Sequence, residues 1–563
     1  MHGLAFLGYY GSVPRTYAVG VSSDRALGVG MAMNVASGGS PFDHVQVEFG
    51  NLEPLWTFIV AALSGFSASR VPYVYDRMAI LVLTLTALGF YRAWGAEHPG
   101  EDLQAARWRG VLVAASVLGL SSLALAPEPP IQHFWHSNFV FKPNHALAFG
   151  LVGLLSRLKP GQMSWMRLGA IQGLLIWAFI LDWAYLFPGL LLAAMIGKDR
   201  GADIKRLLFA TALALTVSLP YVFHLLRDYN PLAKGELPQI WRDQMGQRLT
   251  SPYWWSIDMG PLLILFVVGL VFAFRRSATE NGALGFLLTG PLVTLGYLIG
   301  LQIGFAPEPD EGFFYARLVA AAGAGYALWS VARKSGSDSH SRYAIAFGVI
   351  LACSFPAYFN PLQDDRYFAL GNKPLPAPIV ATAEWIRQNT TSESVLVSSE
   401  GIMLSGLTGR RFLMVRPDQT ADRVAREAAE IDILTSLDEA TVRRAASRYR
   451  ITHVILDEGL RERYGEEARG LGNRPWFEPV FVNSFARVLV LKNPVLKNQG
   501  PQESGLESSG LGVRGRNLGK FRLSTISRAI ACTRSWVPTM TGMAATMTVP
   551  GSELAPIFSP SHQ

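Results

Sequence analysis

Four clusters of acidic, basic and imidazole side chains interrupt an otherwise apolar chain. The first runs from Ser22-Ser23-Asp24-Arg25 through Gly38-Gly39-Ser40-Pro41-Phe42-Asp43-His44 and Glu48 to Asn51-Leu52-Glu53-Pro54-Leu55. The second joins His133-Phe134-Trp135-His136-Ser137-Asn138 to Lys142-Pro143-Asn144-His145. Asp182-Trp183 forms the third, and Glu308-Pro309-Asp310-Glu311 with Tyr315-Ala316-Arg317 the fourth. Carboxylates and imidazoles of this kind can accept protons, and the forked donors of arginine suit anionic oxygens. Polar groups among apolar residues are costly to keep, so each cluster is a candidate site.

The elements that must position these clusters are long and apolar. Half of the 563 residues are hydrophobic and only 16% are charged, against about 25% in an ordinary soluble chain. Apolar blocks fall at about 54–69, 78–94, 109–126, 144–157, 168–181, 183–197, 205–226, 260–274, 283–304, 315–332 and 342–359. Most are long enough for a hydrocarbon core of about 30 Å, which predicts a polytopic helical bundle of ten or eleven segments over 54–359. Block 54–69 is short and ends in serines, so it either spans or only dips into one leaflet. The net charge of +8 comes largely from cations in short loops, such as Arg107/Arg109, Arg157/Lys159/Arg167, Arg275/Arg276 and Arg333/Lys334/Arg342. That distribution reads as positive-inside topology in a cell membrane, and no nucleic-acid partner is expected. Two cysteines, Cys353 and Cys532, build neither a disulfide framework nor a thiolate metal site.

After residue 360 the pattern changes. Short strand-like runs at 394–399, 411–415, 452–456 and 486–491 alternate with helical periodicity at 379–388, 419–435 and 439–449, which predicts a small α/β domain over 360–494. The charge alternation of the loops places this domain outside the membrane. Residues 495–563 are rich in Gly, Ser, Asn and Pro without periodicity, and are expected to be a disordered tail.

Taken together, the four clusters resemble the GT-C-type glycosyltransferases, membrane enzymes that take a sugar from a polyprenyl-phosphate carrier. The protein mannosyltransferase and aminoarabinose transferase group is the most similar. The resemblance covers about residues 20–360 and the outer domain. It implies an acidic residue, acting as the catalytic base, in a first outer loop, residues 1–53 here, ahead of a Pro-Leu entry to the next helix. Asp24 fits that place, with Asp43 and Glu48 closer to Pro54-Leu55. By the same resemblance one of these carboxylates deprotonates the acceptor hydroxyl, while Arg25, Lys142 and Arg317 hold the leaving phosphate. His136, Asn144, His145 and Asp182 would contact donor or acceptor, and a divalent metal with Glu48, Glu53 or His136 as ligands is possible chemistry. The sequence departs from the family pattern where Asn144 replaces an acid and Asp182-Trp183 replaces a lysine. The family's helix before the acidic loop is missing, and an upstream start is the expected reason.

Each residue also has a plainer reading. Asp24-Arg25 can be a solvated helix start, and Asp43, His44 and Glu48 ordinary loop residues. His133, His136 and His145 can lie at the interface beside Trp135. Lys142 can snorkel, Asp182 can sit at the water boundary, and Arg317 can pair with Asp310 or Glu311. At the level of function, the alternatives to a sugar transferase (hexosyl or pentosyl) are a flippase of lipid-linked substrates and a non-catalytic envelope assembly protein. No internal repeat of the transporter kind is evident.

Overall fold

A computed structural model describes residues 23–47, 50–97, 101–119, 143–158, 160–228, 260–303, 309–334, 339–363, 374–415 and 422–492. The expected tail lies outside the described residues. Apolar blocks become helices nearly one for one: α1 Ser23–Ala36, α2 Pro54–Leu63, α3 Val71–Trp94, α4 Leu103–Gly119, α5 Pro143–Leu155, α6 Trp165–Ala178 and α7 Ile180–Ile196. They continue as α8 Arg200–Asp228, α9 Pro261–Arg275, α10 Ser277–Ile303, α11 Pro309–Lys334 and α12 Ser339–Gln363.

The helix in the ambiguous first block, α2, is short. Its 10 residues rise only about 15 Å, half a hydrocarbon core. It starts at Pro54, which needs no N–H at a helix N-terminus, and ends before Gly65, whose φ of +66° favours glycine. Contacts run in parallel sense between α3 and α5 (Gly89 with Gly150, Phe90 with Gly153) and between α6 and α8 (Gly169 with Ala210, Gly173 with Ala214), and in antiparallel sense between α7 and α10 (Tyr185 with Tyr297, Ala193 with Asn281). The loop before α2 meets the end of α8, which marks one end of the bundle. Backbones cross closely where glycines face each other. A Cβ on Gly89 of α3 would meet Gly150 O of α5 at 2.2 Å, and one on Gly269 of α9 would meet Gly323 O of α11 at 2.1 Å. Such small-residue crossings let two helix backbones approach closely. The outward faces are apolar: Phe223, Leu226, Ile264, Phe274 and Ile345 are all exposed. Two helical stretches, Arg200–Leu226 and Glu280–Gly300, are by themselves long and apolar enough to cross a membrane.

At the opposite end the basic loops are not simply solvated. Arg109 is fully buried, with Nη1 2.6 Å from Glu101 Oε1 and 3.6 Å from Glu280 Oε1. Arg157 donates to both oxygens of Glu280 at 2.9 Å. The two guanidiniums also donate to Trp94 O and Ala96 O, orphan carbonyls at the C-terminus of α3. Glu280 sits where α10 departs from helical geometry, at φ −115° and ψ 31°. Trp329 of α11 donates to Ala105 O at 2.8 Å. Four helices and the turn after α3 are thereby joined at one point.

The α/β domain comprises α13 Ala377–Asn389, β1 Val395–Val397, α14 Gly401–Thr408, β2 Arg411–Phe412, α15 Arg423–Thr435, α16 Glu439–Tyr449, β3 Ile451–Leu456, α17 Glu458–Arg469, β4 Phe477–Val482 and β5 Arg487–Leu491. The sheet order is β2-β1-β3-β5-β4, with β1 parallel to β2 and β3, and β5 antiparallel to β3 and β4. Strand β4 was not expected from the pattern because it contains Glu478 and Pro479. It lies at the sheet edge with an irregular register there, where proline is tolerated.

Replacing Glu280 by Gln leaves two buried guanidiniums short of a counter-charge and is expected to destabilise the fold by ~3–5 kcal/mol. Replacing Arg157 and Glu280 together by Met is expected to cost less than the single change. Unfolding midpoints of the three proteins in one detergent check both.

Candidate functional site

The loop between α1 and α2 is held from both sides. Asp43 and Gly50 form an antiparallel bridge, and Asn51 N donates to Phe42 O at 2.8 Å. The fully buried Asn51 side chain donates to Pro41 O at 2.8 Å and Thr57 Oγ1 at 2.9 Å, and its Oδ1 accepts from Glu53 N. One amide thus fixes the loop against the start of α2. On the other side, Phe412 N donates to Val45 O at 2.7 Å and Val47 N donates to Phe412 O at 3.1 Å. Residues 45–47 therefore extend the sheet beyond β2, in parallel sense. Gln46 Oε1 accepts from Val415 N at 3.1 Å. Helix α1 docks on α14 through Gly30 and Gly406, where any Cβ would collide with the partner helix, and Asn34 donates to Gly409 O and Ser392 O.

This arrangement presents Asp43 at the junction of bundle and domain. Its Oδ1 lies 3.3 Å from His224 Nε2, near the end of α8, and its Oδ2 lies 3.9 Å from Arg411 Nη1, at the start of β2. Arg411 also lies 3.6 Å from Glu393 Oε2. All three side chains of the trio keep partial solvent access, between 15% and 18%. Phe42 forms the wall beneath: its ring stacks on Tyr221 at 6.0 Å and packs against Trp177 and His224 at 5.5 Å each. Tyr221 donates to Leu52 O at 3.1 Å, tying α8 to the same loop. A carboxylate, an imidazole and a guanidinium over an aromatic floor can move a proton and hold an anionic group.

His44, the next residue, has a different role. Its Nδ1 accepts from Gln46 N at 2.9 Å, and burial, then the Arg411 charge, push its pKa down to about 3. It is a neutral acceptor that shapes the loop.

A second polar group lies at the same end, between helices. Asp182 is buried in the first turn of α7, where the helix dipole favours a carboxylate. Tyr185 of the same helix hydrogen-bonds Tyr297 of α10 and packs its ring 5.3 Å from Tyr315 of α11. Tyr315 lies 3.1 Å from Thr289 Oγ1. Arg317 is buried two residues further along α11, with its guanidinium 5.8 Å from the Phe313 ring.

In the domain, Ser398, Ser399 and Glu400 follow β1 and meet Asp457, which follows β3. Asp457 accepts from both serine hydroxyls at 2.5 Å, from Ser399 N at 3.0 Å and from Leu460 N at 3.0 Å. That carboxylate is occupied in joining two strand ends. Burial and then Asp457 raise the pKa of Glu400 beside it.

Of the residues singled out in the sequence, Asp43, Asp182 and Arg317 lie at this end of the bundle, Asp182 and Arg317 being buried. Asp24 and Arg25 lie in the first turn of α1 and Asn144 and His145 in the first turn of α5, in backbone position only. Glu48, His136 and Lys142 lie outside the described residues. Among the described residues no three His, Cys, Asp or Glu side chains gather as metal ligands. His224 and Arg411 escaped the sequence reading. His224 ends an apolar helix and Arg411 opens a strand, and neither place carries a local cue.

No family model and no curated protein matches this chain. Among solved structures it is similar to two proteins over most of its length. ArnT from Cupriavidus metallidurans in the apo state is 14% identical, with 87% of this chain and 96% of that chain covered and a TM-score of 0.48. The same protein bound to undecaprenyl phosphate gives 0.47 over the same coverage. The Archaeoglobus fulgidus oligosaccharyltransferase tethered with an acceptor peptide is 14% identical, covering 86% of this chain and 73% of that one, with a TM-score of 0.42.

The low pKa of His44 has a pH consequence. Between about 6.5 and about 3 the unfolded chain binds a proton at this imidazole that the folded chain does not, so this contribution to stability is present above 6.5 and is lost as pH falls through that window. His44→Asn keeps an acceptor for Gln46 N and is expected to flatten the fall. Unfolding midpoints at pH 7.5, 6 and 5 for both proteins check it.

Proposed function

We propose that this chain is a GT-C-type membrane glycosyltransferase. It moves a sugar from a polyprenyl-phosphate donor to a hydroxyl on an outward-facing lipid, glycan or protein. The observation that carries the reading is Asp43, set between His224 and Arg411 where the bundle meets the α/β domain. Asp43 is the base toward the acceptor hydroxyl, His224 orients it, and Arg411 offers donors to an anionic group. Asp24 is the alternative base, and Arg25, Lys142 and Arg317 remain candidates for the donor phosphate. Lipid surrounds helices α3 to α12, a placement supported by their exposed apolar faces and by the two helices apolar enough to span. With the polar end outermost, the domain is extracytoplasmic. Loss of a positioned base typically costs 10²–10⁴-fold in rate, and the resemblance read from the first loop makes sugar transfer the reaction to assay.

Asp43→Asn is expected to lower sugar transfer from undecaprenyl- or dolichyl-phosphate donors by about 100-fold or more, with an unfolding midpoint close to wild type. Transfer at the wild-type rate would move the base to Asp24, tested by Asp24→Asn. If both variants are fully active, the site assignment falls. A wild-type protein that transfers no sugar from any such donor would favour the assembly-protein reading.

A further inference from the structure

One edge of the α/β sheet carries cations that no carboxylate matches. The strand register defines that edge. Val395 of β1 is level with Arg411 of β2 and Ile451 of β3, and Phe477 of β4 is level with Leu491 of β5. Arg411 approaches Asp43 there, and Asp43 meets His224 of α8, so on this edge the domain meets the bundle. Helix α16 is tied to the same edge. Arg474, ahead of β4, donates to Thr435 O and Ser436 O before α16. Arg443 Nη1 donates to Lys492 O at 2.8 Å, and Arg450 directly precedes β3.

Arg444, Arg448, Arg450 and Lys492 are all exposed. The acids nearby are engaged elsewhere: Glu439 pairs with Arg443 at 2.6 Å, Asp438 feels the Arg444 charge, and Glu393 lies 3.6 Å from Arg411. Arg448 lies over the Tyr449 ring at 5.1 Å, a contact that leaves its charge unneutralised. Glu478 of β4 pairs with none of these cations. Arg448, Arg450 and Lys492 thus have no ion-pair partner among the described residues. The dipole at the C-terminus of α16 favours Arg448 in its last turn, but Lys492 comes from the end of β5. Leu437, two residues ahead of α16, adds an 83% exposed hydrocarbon side chain. Basic groups beside bare hydrocarbon suit a layer of anionic lipid headgroups. A soluble polyanion bound for the candidate site fits less well, because Glu393, 65% exposed, and Asp43 stand beside Arg411. Lys492 is three strand spacings from Arg411, about 14 Å, so the basic stretch lies beside the site and not within it.

We propose that Arg444, Arg448, Arg450 and Lys492 rest on the anionic headgroups of the leaflet nearest the α/β domain. This contact steadies the domain at the edge where Arg411 reaches Asp43. The inference depends on the membrane placement proposed above but not on the transfer reaction.

The test uses the full-length protein in lipid nanodiscs. Cys353 and Cys532 are replaced by Ala, and a bimane fluorophore is attached at Ser447→Cys, exposed beside Arg448. A nitroxide on the headgroup of trace phosphatidylcholine quenches a fluorophore that lies at the membrane surface. Quenching is expected to be strong in discs containing phosphatidylglycerol, and to fall in phosphatidylcholine alone or in high salt. A label at Glu458→Cys, which follows β3 at the opposite edge, is expected to stay unquenched throughout. In Arg448→Gln/Arg450→Asn/Lys492→Gln the docking equilibrium is expected to fall about fivefold per charge removed. Asn is chosen at 450 because it tolerates the φ of +58° there. Equal quenching at 447 with and without phosphatidylglycerol, or full quenching in the triple variant, would overturn the proposal. Inorganic phosphate at matched ionic strength is expected to change nothing, and release by it would overturn the headgroup layer as partner. A chain that stays monodisperse without detergent would refute the membrane placement and this surface with it. Docking by a chain that transfers no sugar would leave this surface standing and count against the enzyme reading alone.

Discussion

The backbone pairing of residues 45–47 with Phe412 joins parts of the chain more than 350 residues apart, and the geometry around Asp43 depends on it. A loop between two helices has few internal contacts with which to fix its shape. Here one side of the loop borrows the order of a sheet edge, and the other side is tied to α2 and α8 by Asn51 and Tyr221. The edge strand β2 gains a partner at the same time, so its polar backbone is not left open. The α/β domain is therefore part of the wall around the candidate site. Its helix α14 and strand β2 support the first loop directly.

The two ends of the bundle solve opposite electrostatic problems. Near the domain, helices α5, α7 and α11 begin and α8 ends, and single charged groups are spaced around aromatic rings: Asp43 over Phe42, Asp182 near the Tyr185–Tyr315 pair, and Arg317 by Phe313. Of these, Asp43 keeps partial solvent access, while Asp182 and Arg317 are buried. At the other end Arg109 and Arg157 are consumed by Glu280, Glu101 and the carbonyls after α3. A buried charge survives only if it is paired and hydrogen-bonded, and this network meets that condition while clamping several helices. The clamp makes one end rigid.

How much of this was legible in the sequence differs from feature to feature. Helices α3 to α12 follow the apolar blocks closely, and the domain's parallel strands β1, β2 and β3 appear where short β-branched runs predicted strands. Asp43 was marked because an acid ahead of Pro54-Leu55 is a local pattern. The same local reading placed Arg109 and Arg157 in short basic loops, and that both are buried and paired is seen only in the structure. Their partner Glu280 opens a different helix, and nothing near it in sequence signals the pairing. Strand β4 and helix α14 were missed for a related reason, since Pro479 and the glycine-rich start at Gly401 contradict their local propensities.

What the sequence determined unaided was most of the bundle's helices, from α3 to α12. These follow from hydrophobic run length and flanking charge, which act residue by residue along the chain. The tertiary structure alone decided which side chains meet: His224 and Arg411 with Asp43, Glu280 with two arginines, and three guanidiniums with Trp329. Those meetings depend on where helices cross and where a loop joins a sheet edge. Such crossings are set by the packing of distant surfaces, and no short stretch of sequence contains both members of any pair.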